Sequence, residues 1–209
     1  MGRNAQFTDL EVFDWLGRHL AEAHSVTVQQ VSKGTGVSVG SIYHRYGSMD
    51  GLLASAWLAA ARSYRGGLGR PLGRLGEGPM RRIALHAGRW AVARPAQARL
   101  LFCVPERVLV RGAASESLEV TIAQENAEFA ARIDDFYARN SLDPIRAELG
   151  LFILPQRIVA GYVGDPHSFH KVKPLILNTV FALLPSSNPT GSGTEDESDG
   201  DLDDSLEKA

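Results

Sequence analysis

The sequence predicts an all-α protein, and three observations support that fold class. Apolar residues recur every three or four positions through most of the 209-residue chain, which is the period of an amphipathic helix. Glycine and proline fall at the ends of these apolar stripes, where helices usually stop. No segment alternates apolar and polar residues as a half-buried strand does. We therefore expect an N-terminal three-helix domain over residues 1–47, a second helical domain over residues 48–185 and, in all, about nine helices.

The composition limits the kind of protein that this chain forms. With 44% hydrophobic residues, the chain can bury a substantial core. No run is long and apolar enough to span a membrane, and the N-terminus lacks a signal-peptide core. The single cysteine, Cys103, excludes an internal disulfide framework and a multi-cysteine metal site. We expect a cytoplasmic protein with no membrane partner, no cofactor and no metal site.

The charge is distributed unevenly along the chain. Residues 51–100 contain nine Lys or Arg and one acidic residue, whereas residues 186–209 contain one Lys and eight acidic residues. The latter segment also has no aromatic residue, so it cannot bury enough apolar surface to offset its chain entropy. We predict a disordered acidic tail over residues 186–209. The tail either increases solubility or competes with DNA for the basic surfaces of the body.

Residues 27–46, TVQQVSKGTGVSVGSIYHRY, predict two short helices joined by a tight turn. Thr27 and Gln30 have the spacing of a capping box at a helix start. Gly36 is expected to end this helix, because glycine tolerates the left-handed conformation found at helix ends. Ser38 is placed to cap the next helix with its hydroxyl. This arrangement is a helix-turn-helix.

The second helix of this motif has one apolar face and one polar face. Ile42 and Tyr46 are four residues apart and are expected to point inward. The opposite face carries small or polar residues, namely Gly40, Ser41, Tyr43 and His44. Such residues suit close approach to a phosphate backbone and to base edges. The pattern therefore predicts double-stranded DNA as a partner.

The same stretch resembles the DNA-binding segment of the TetR family of bacterial transcriptional regulators. The resemblance covers residues 27–53, as T-V-x-x-V-S-x-x-T-G-V-S-x-G-S-I-Y-H-R-Y followed by Ser48, Asp50 and Leu52. Beyond it, the similarity is one of length and hydrophobic layout. The chain departs from the family at Val39 and Met49, where members often carry lysine. Each missing cation removes a phosphate contact and is expected to flatten the salt dependence of binding.

The resemblance implies a homodimeric, ligand-responsive regulator, most often a repressor, that binds a palindromic operator. The residues that it assigns to DNA binding are Thr27, Ser38, Val39, Gly40, Ser41, Tyr43, His44 and Arg45. Residues 27 and 38 are expected to cap helices against phosphates, residues 39–41 to approach bases, and residues 43–45 to hold the backbone.

The remaining helices are predicted from apolar stripes and from Gly and Pro boundaries. A first helix, with Leu10 and Phe13 on its inward stripe, precedes the motif over residues 5–24. Residues 66–79 are expected to form a loop with room for one broken turn. The helices of the body are expected at residues 48–64, 80–93, 95–105, 115–139, 144–163 and 166–184. Pro155 and Pro174 are expected to kink the last two.

Two further sets of residues are candidates for binding. An apolar pocket for a small-molecule effector of unknown identity is expected among the central helices. Its candidate residues are Trp57, Trp90, Phe102, Asn126, Phe129 and Phe152. The last two helices resemble the pair that forms a four-helix dimer bundle in the family. Its candidate residues are Val159, Tyr162, Ile176, Val180 and Phe181. Any of these side chains also suits an ordinary core.

Two alternatives to a DNA-binding regulator arise from the same residues. The run from Gly36 to Gly40 matches the G-x-S-x-G motif of serine hydrolases, but that motif requires a preceding strand, and a helix is predicted there. We therefore expect no enzymatic activity. The second alternative is a TetR-like fold that has lost operator recognition and acts through a protein partner. Val39, Met49 and the nearly uncharged motif favour this alternative.

Overall fold

The computed structural model describes residues 8–23, 25–110, 115–163 and 165–184, and within these residues all regular structure is helical. The first six α-helices are α1 Asp9–Ala23, α2 Val28–Thr35, α3 Val39–Tyr46, α4 Met49–Gly66, α5 Gly69–Leu72 and α6 Glu77–Ala93. The next six are α7 Pro95–Ala98, α8 Glu106–Leu109, α9 Glu116–Arg139, α10 Pro144–Glu148, α11 Leu154–Ala160 and α12 Pro166–Leu183. The all-α prediction is confirmed. The predicted tail, residues 186–209, lies outside the described residues.

None of the described helices combines the length and the apolar composition that a membrane crossing requires.

The first three helices pack around one apolar cluster, which we call the head cluster. It contains Val12 and Leu16 from α1, Val28 and Val31 from α2, and Ile42 from α3, and all five are buried. The predicted inward stripe of α1 is wrong at Leu10, which is 48% exposed. Phe13, on the same predicted stripe, is buried, and Val12, which was not predicted to face inward, is fully buried.

Helix α4 passes through both apolar clusters of the protein. Leu52 and Trp57, in its first half, belong to the head cluster. Ala60 and Tyr64, in its second half, belong to a second group of buried residues, the body cluster. The body cluster is built mainly from α4, α6, α9 and the helices that follow α9. One helix therefore connects the two cores without a break.

The predicted loop over residues 66–79 contains one helical turn, as expected, and α6 begins three residues earlier than predicted, at Glu77. Helix α5, Gly69–Leu72, occupies the middle of this segment. Leu68 and Leu72 are four residues apart and both are buried in the body cluster. Burial of these two leucines explains why a Gly-rich and Pro-rich stretch folds as a helical turn here.

Two π-helical turns interrupt the later helices. The turn Arg99–Cys103 continues directly from α7, and the turn Leu149–Ile153 joins α10 to α11. The single helix predicted over residues 144–163 is thus three consecutive helical segments. Pro155, the second residue of α11, has no backbone N–H to donate, so the regular hydrogen-bond ladder cannot continue through it. Pro174, in contrast, lies inside α12, which continues to Leu183.

Helix α9 lies at the edge of the body rather than inside it. Only Ile122, Phe136 and Tyr137 are buried among the residues of this 24-residue helix. Its contacts are made with α4, α5 and α10. Because its middle is so lightly packed, a cleft remains between α9 and the second half of α4.

Helices α1 and α7 approach each other backbone to backbone at Gly17. A Cβ atom at Gly17 would lie 2.0 Å from the carbonyl oxygen of Ala96. We predict that Gly17→Ala lowers the free energy of unfolding by about 1–3 kcal/mol, because the two helices must separate to admit the methyl group. Urea unfolding followed by circular dichroism measures this change.

The matched control for this substitution is Gly78→Ala in α6. Gly78 is exposed, and the nearest atoms to an added Cβ belong to the Arg82 side chain at 3.7 Å. Its stability should stay the same or rise slightly, because alanine favours a helix over glycine. Equal stability of both variants would contradict the close approach at Gly17.

Candidate nucleic-acid interface

The first helix of the helix-turn-helix begins with the predicted capping box. The backbone N–H of Gln30 donates to Thr27 Oγ1 at 3.3 Å, and the N–H of Thr27 donates to Gln30 Oε1 at 2.8 Å. Gly36 follows the helix with φ of 74°, in the left-handed region. Both expectations for α2, the capping box and the left-handed Gly36, are confirmed.

The second helix is capped by Ser38. The Ser41 N–H donates to Ser38 Oγ at 3.0 Å, and the two hydroxyls lie 2.8 Å apart. Both serines are exposed, so the start of α3 presents hydroxyls beside the free backbone N–H groups of its first turn. This terminus is chemically suited to a phosphate oxygen.

The outward face of α3 is exposed over its whole length. Its exposed residues are Gly40, Ser41, Tyr43, His44 and Arg45. Tyr43 is 47% exposed, and its hydroxyl makes no hydrogen bond to another described residue. An added Cβ at Gly40 would meet only Ser38 Oγ, at 3.9 Å. Nothing within the fold requires glycine at this position.

Val39 differs from the other predicted DNA-binding residues. Its side chain is half-buried and packs against the head cluster. Only part of this side chain is therefore presented on the surface next to Gly40.

An acidic residue of α1 holds the end of α3. Arg45 Nη1 lies 3.2 Å from Asp9 Oδ1, and the Tyr46 hydroxyl donates a hydrogen bond to the same oxygen. Burial and this hydrogen bond raise the pKa of Tyr46, so the phenol remains a donor. Arg45 is thus tethered within the protein, which the sequence did not predict. Asp9 is 37 residues from Tyr46, and no local pattern relates them.

The candidate pocket residues fall into two places. Trp90 and Phe102 lie in the body cluster, where their ring centroids are 5.3 Å and 5.5 Å from that of Tyr64. Trp57 and Phe152 are buried as well. Asn126 and Phe129 instead lie half-buried on α9, facing α4. The structure therefore separates the candidate pocket into packed aromatic core and one side of the α9 cleft.

The cleft between α4 and α9 has a volume of about 340 Å³ and a charged lining. We call it the α4–α9 cleft, and its lining residues are Arg62, Arg65, Gly66, Gly69, Glu125, Glu128, Phe129 and Arg132. Sequence analysis did not identify this charged site. The sequence pattern that could have indicated it is a pair of arginines three residues apart on α4, Arg62 and Arg65, together with Glu125 on the inward stripe of α9.

Three of the five candidate dimer residues lie inside this chain's own core. Val159, Ile176 and Val180 belong to the body cluster and are buried. Tyr162 is exposed. Phe181 is half-buried, with the Arg81 guanidinium 5.3 Å from its ring centroid. The side chains of α11 and α12 thus provide core on one face and exposed residues on the other.

The serine hydrolase alternative fails on local structure. Ser38 follows helix α2 and caps helix α3, whereas a nucleophile elbow follows a strand. Within the described parts of the chain, no three His, Cys, Asp or Glu side chains are placed to hold a metal ion.

Comparison with known proteins agrees with this architecture. Residues 22–56 match the model of the family described as bacterial regulatory proteins, tetR family. The structure is similar to that of a TetR family transcription regulator from Marinobacter aquaeolei VT8, with a TM-score of 0.55 and 16% sequence identity. The similarity covers 84% of this chain and 94% of that chain. A search of curated protein sequences gives no significant match.

Residues 27–46 form a helix-turn-helix within an all-α fold, and these are the features that the chain shares with the matched family model and the matched structure. The segment match and the shared fold together confirm the resemblance to the TetR family.

The two tyrosines of α3 should respond differently to loss of their hydroxyls. We predict that Tyr46→Phe lowers the free energy of unfolding by about 1–2 kcal/mol, because it removes the hydrogen bond to Asp9 that joins α3 to α1. Tyr43→Phe, the matched control, should change the free energy of unfolding by less than about 0.5 kcal/mol, because the Tyr43 side chain is exposed. Thermal unfolding distinguishes them, and equal losses would contradict the structural difference.

Proposed function

We propose that this protein is a homodimeric, ligand-responsive repressor that binds a palindromic operator in double-stranded DNA. The observation that carries the proposal is the outward face of α3, which is exposed and free of large aliphatic side chains. In this proposal, residues 1–47 form the DNA-binding head. Residues 48–185 form the domain that binds the effector and a second copy.

The proposed roles follow the chemistry of each exposed group. Thr27 and Ser38 cap helix starts that face phosphates, while Gly40 and Ser41 come close to base edges. Tyr43 and His44 hold the DNA backbone. Arg45 contributes only by exchanging its exposed partner Asp9 for a phosphate, so its contribution is smaller than that of a free arginine.

Helix α4 provides a physical route from an effector to the head. Its first half is packed in the head cluster and its second half in the body cluster. A ligand that prefers one position of α4 relative to α9 would change the spacing of the two heads in a dimer. The ligand regulates binding only to the extent of that preference.

Exposed apolar residues on the last helices support the dimer. Ile145, Ile153, Tyr162 and Leu175 are four of the nine exposed large hydrophobic residues that are described, and all lie between α10 and α12. Exposed apolar residues on one set of helices become buried when those helices form an interface. A head of three short helices also gains affinity and specificity when two copies contact two half-sites.

Selection from a randomised duplex library tests operator recognition. We predict that the wild-type protein enriches an inverted repeat, because two symmetric heads read two half-sites. Gly40→Ala should weaken binding to that site by about tenfold or more, since a methyl group is added where a base edge approaches. Its fold should be retained, because the added Cβ meets no atom closer than 3.9 Å. Competition gel shifts measure the affinities.

Gly78→Ala in α6 is the control, because it also adds a methyl group to an exposed helical glycine. It should bind the selected site as the wild type does. Failure of the wild type to enrich any sequence would favour the alternative in which the fold acts through a protein partner.

The dimer is tested by placing a charge on the exposed face of α12. Leu175 is 53% exposed, and we predict that Leu175→Asp weakens dimerisation by about 100-fold, because a carboxylate would be buried without a partner. Leu75→Asp is the control, since Leu75 is 61% exposed and lies before α6. Sedimentation equilibrium measures the dissociation constant of the dimer for both variants. An unchanged constant for Leu175→Asp would place the interface elsewhere.

A further inference from the structure

The α4–α9 cleft contains an arginine with an unused hydrogen-bond donor. Arg65 Nη2 donates to Asn126 Oδ1, but Arg65 Nη1 is buried and has no hydrogen-bond partner among the described residues. Burial lowers the pKa of Arg65, consistent with a cation that is only partly hydrated. A buried donor of this kind is normally satisfied by an acceptor, from the protein or from a ligand.

Aromatic rings position the same guanidinium. Its Cζ lies 5.0 Å from the ring centroid of Phe129 and 5.7 Å from that of Trp57. These contacts hold the Arg65 side chain in one orientation, because a cation is attracted to the faces of aromatic rings. Phe129 also lines the cleft, so a flat apolar surface lies next to the unused donor.

The remaining charges of the lining favour an anion. Arg62 Nε donates to Glu125 Oε1 at 2.9 Å and Oε2 at 3.1 Å, so Glu125 is already occupied. Glu128 accepts a hydrogen bond from Gln124 at 2.8 Å. Arg132 is exposed at the cleft beside Gly69 and forms no ion pair with another described residue. Arg65 and Arg132 are therefore the two cations of the lining that lack a carboxylate partner within the described residues.

We propose that the α4–α9 cleft binds a small organic anion whose carboxylate or phosphate accepts hydrogen bonds from Arg65 and Arg132. The apolar part of the ligand lies against the Phe129 ring. The volume of about 340 Å³ is at the lower end of ligand pockets and suits a small molecule. Planar guanidinium groups bind both carboxylate and phosphate oxygens well.

The inference rests on the proposed function in one respect, because it takes this anion to be the effector. Arg62 to Glu125 and Arg65 to Asn126 are contacts that cross from α4 to α9. An anion that draws Arg65 toward itself loosens the second contact and changes how α4 sits against α9. The cleft therefore lies where occupancy can act on the helix that connects the two cores.

Isothermal titration calorimetry of the full chain at low salt tests the site. The probes are benzoate, phenyl phosphate and the neutral benzamide, which has the shape of benzoate without its charge. At least one anion should bind about tenfold or more tightly than benzamide, because hydrogen bonds to a charged acceptor are the stronger ones. Which anion binds better distinguishes a carboxylate ligand from a phosphate ligand.

Three variants locate the binding. Arg65→Gln and Arg132→Gln should each weaken anion binding by about tenfold or more. Arg74→Gln, at an exposed position outside the cleft, should bind as the wild type does. Arg132 is exposed, so its variant remains informative if loss of Arg65 disturbs folding. Binding of both anions no tighter than benzamide, or wild-type binding by Arg132→Gln, would overturn the proposal.

The anion titration is performed without DNA, and the operator selection is performed without anion. Anion binding without operator enrichment would support the site while rejecting the proposed function. Operator enrichment without anion binding would support operator recognition while rejecting the anion site.

Discussion

The structure depends on the burial of one helix in two cores. Helix α4 contributes Leu52 and Trp57 to the head cluster, and Ala60 and Tyr64 to the body cluster. Apolar burial is the main favourable contribution to folding, so both clusters hold this helix in place. The head cannot be packed independently of α4, and the position of α4 is set by the body. The predicted separation at residues 47 and 48 is therefore not a boundary in packing.

Local bonds leave the outward face of α3 available. The caps at Thr27 and Ser38 satisfy backbone donors at the helix starts, while Ile42 fills the core beneath. Asp9 bonds Tyr46 and Arg45 at the other end. The helix is therefore fixed by its ends and its inner face. Tyr43 and His44, on its outer face, take no part in these bonds, which is the usual condition of residues on a surface that binds another molecule.

The sequence predicted those features that depend on neighbours within a few residues. The capping box, the left-handed Gly36 and the bounds of α2 and α3 all follow from local chemistry. Errors arose where burial depends on distant partners. Leu10, on the predicted inward stripe of α1, is exposed, whereas Val12 is buried in the head cluster. Likewise, Arg62 and Glu125 are 63 residues apart, so no spacing rule joins them.

Gly17 and Ala96 bring the backbones of α1 and α7 into direct contact. At this point two backbones touch with no side chain between them, so α1 has little room to slide over α7. Arg65 lies 16 residues after Met49 in α4, a distance of about 24 Å along a helix axis. Tilting such a rod by about 5° displaces its far end by about 2 Å. Because the start of α4 contacts α3, a tilt of this size would move the end of α4 that lies beside the helix-turn-helix.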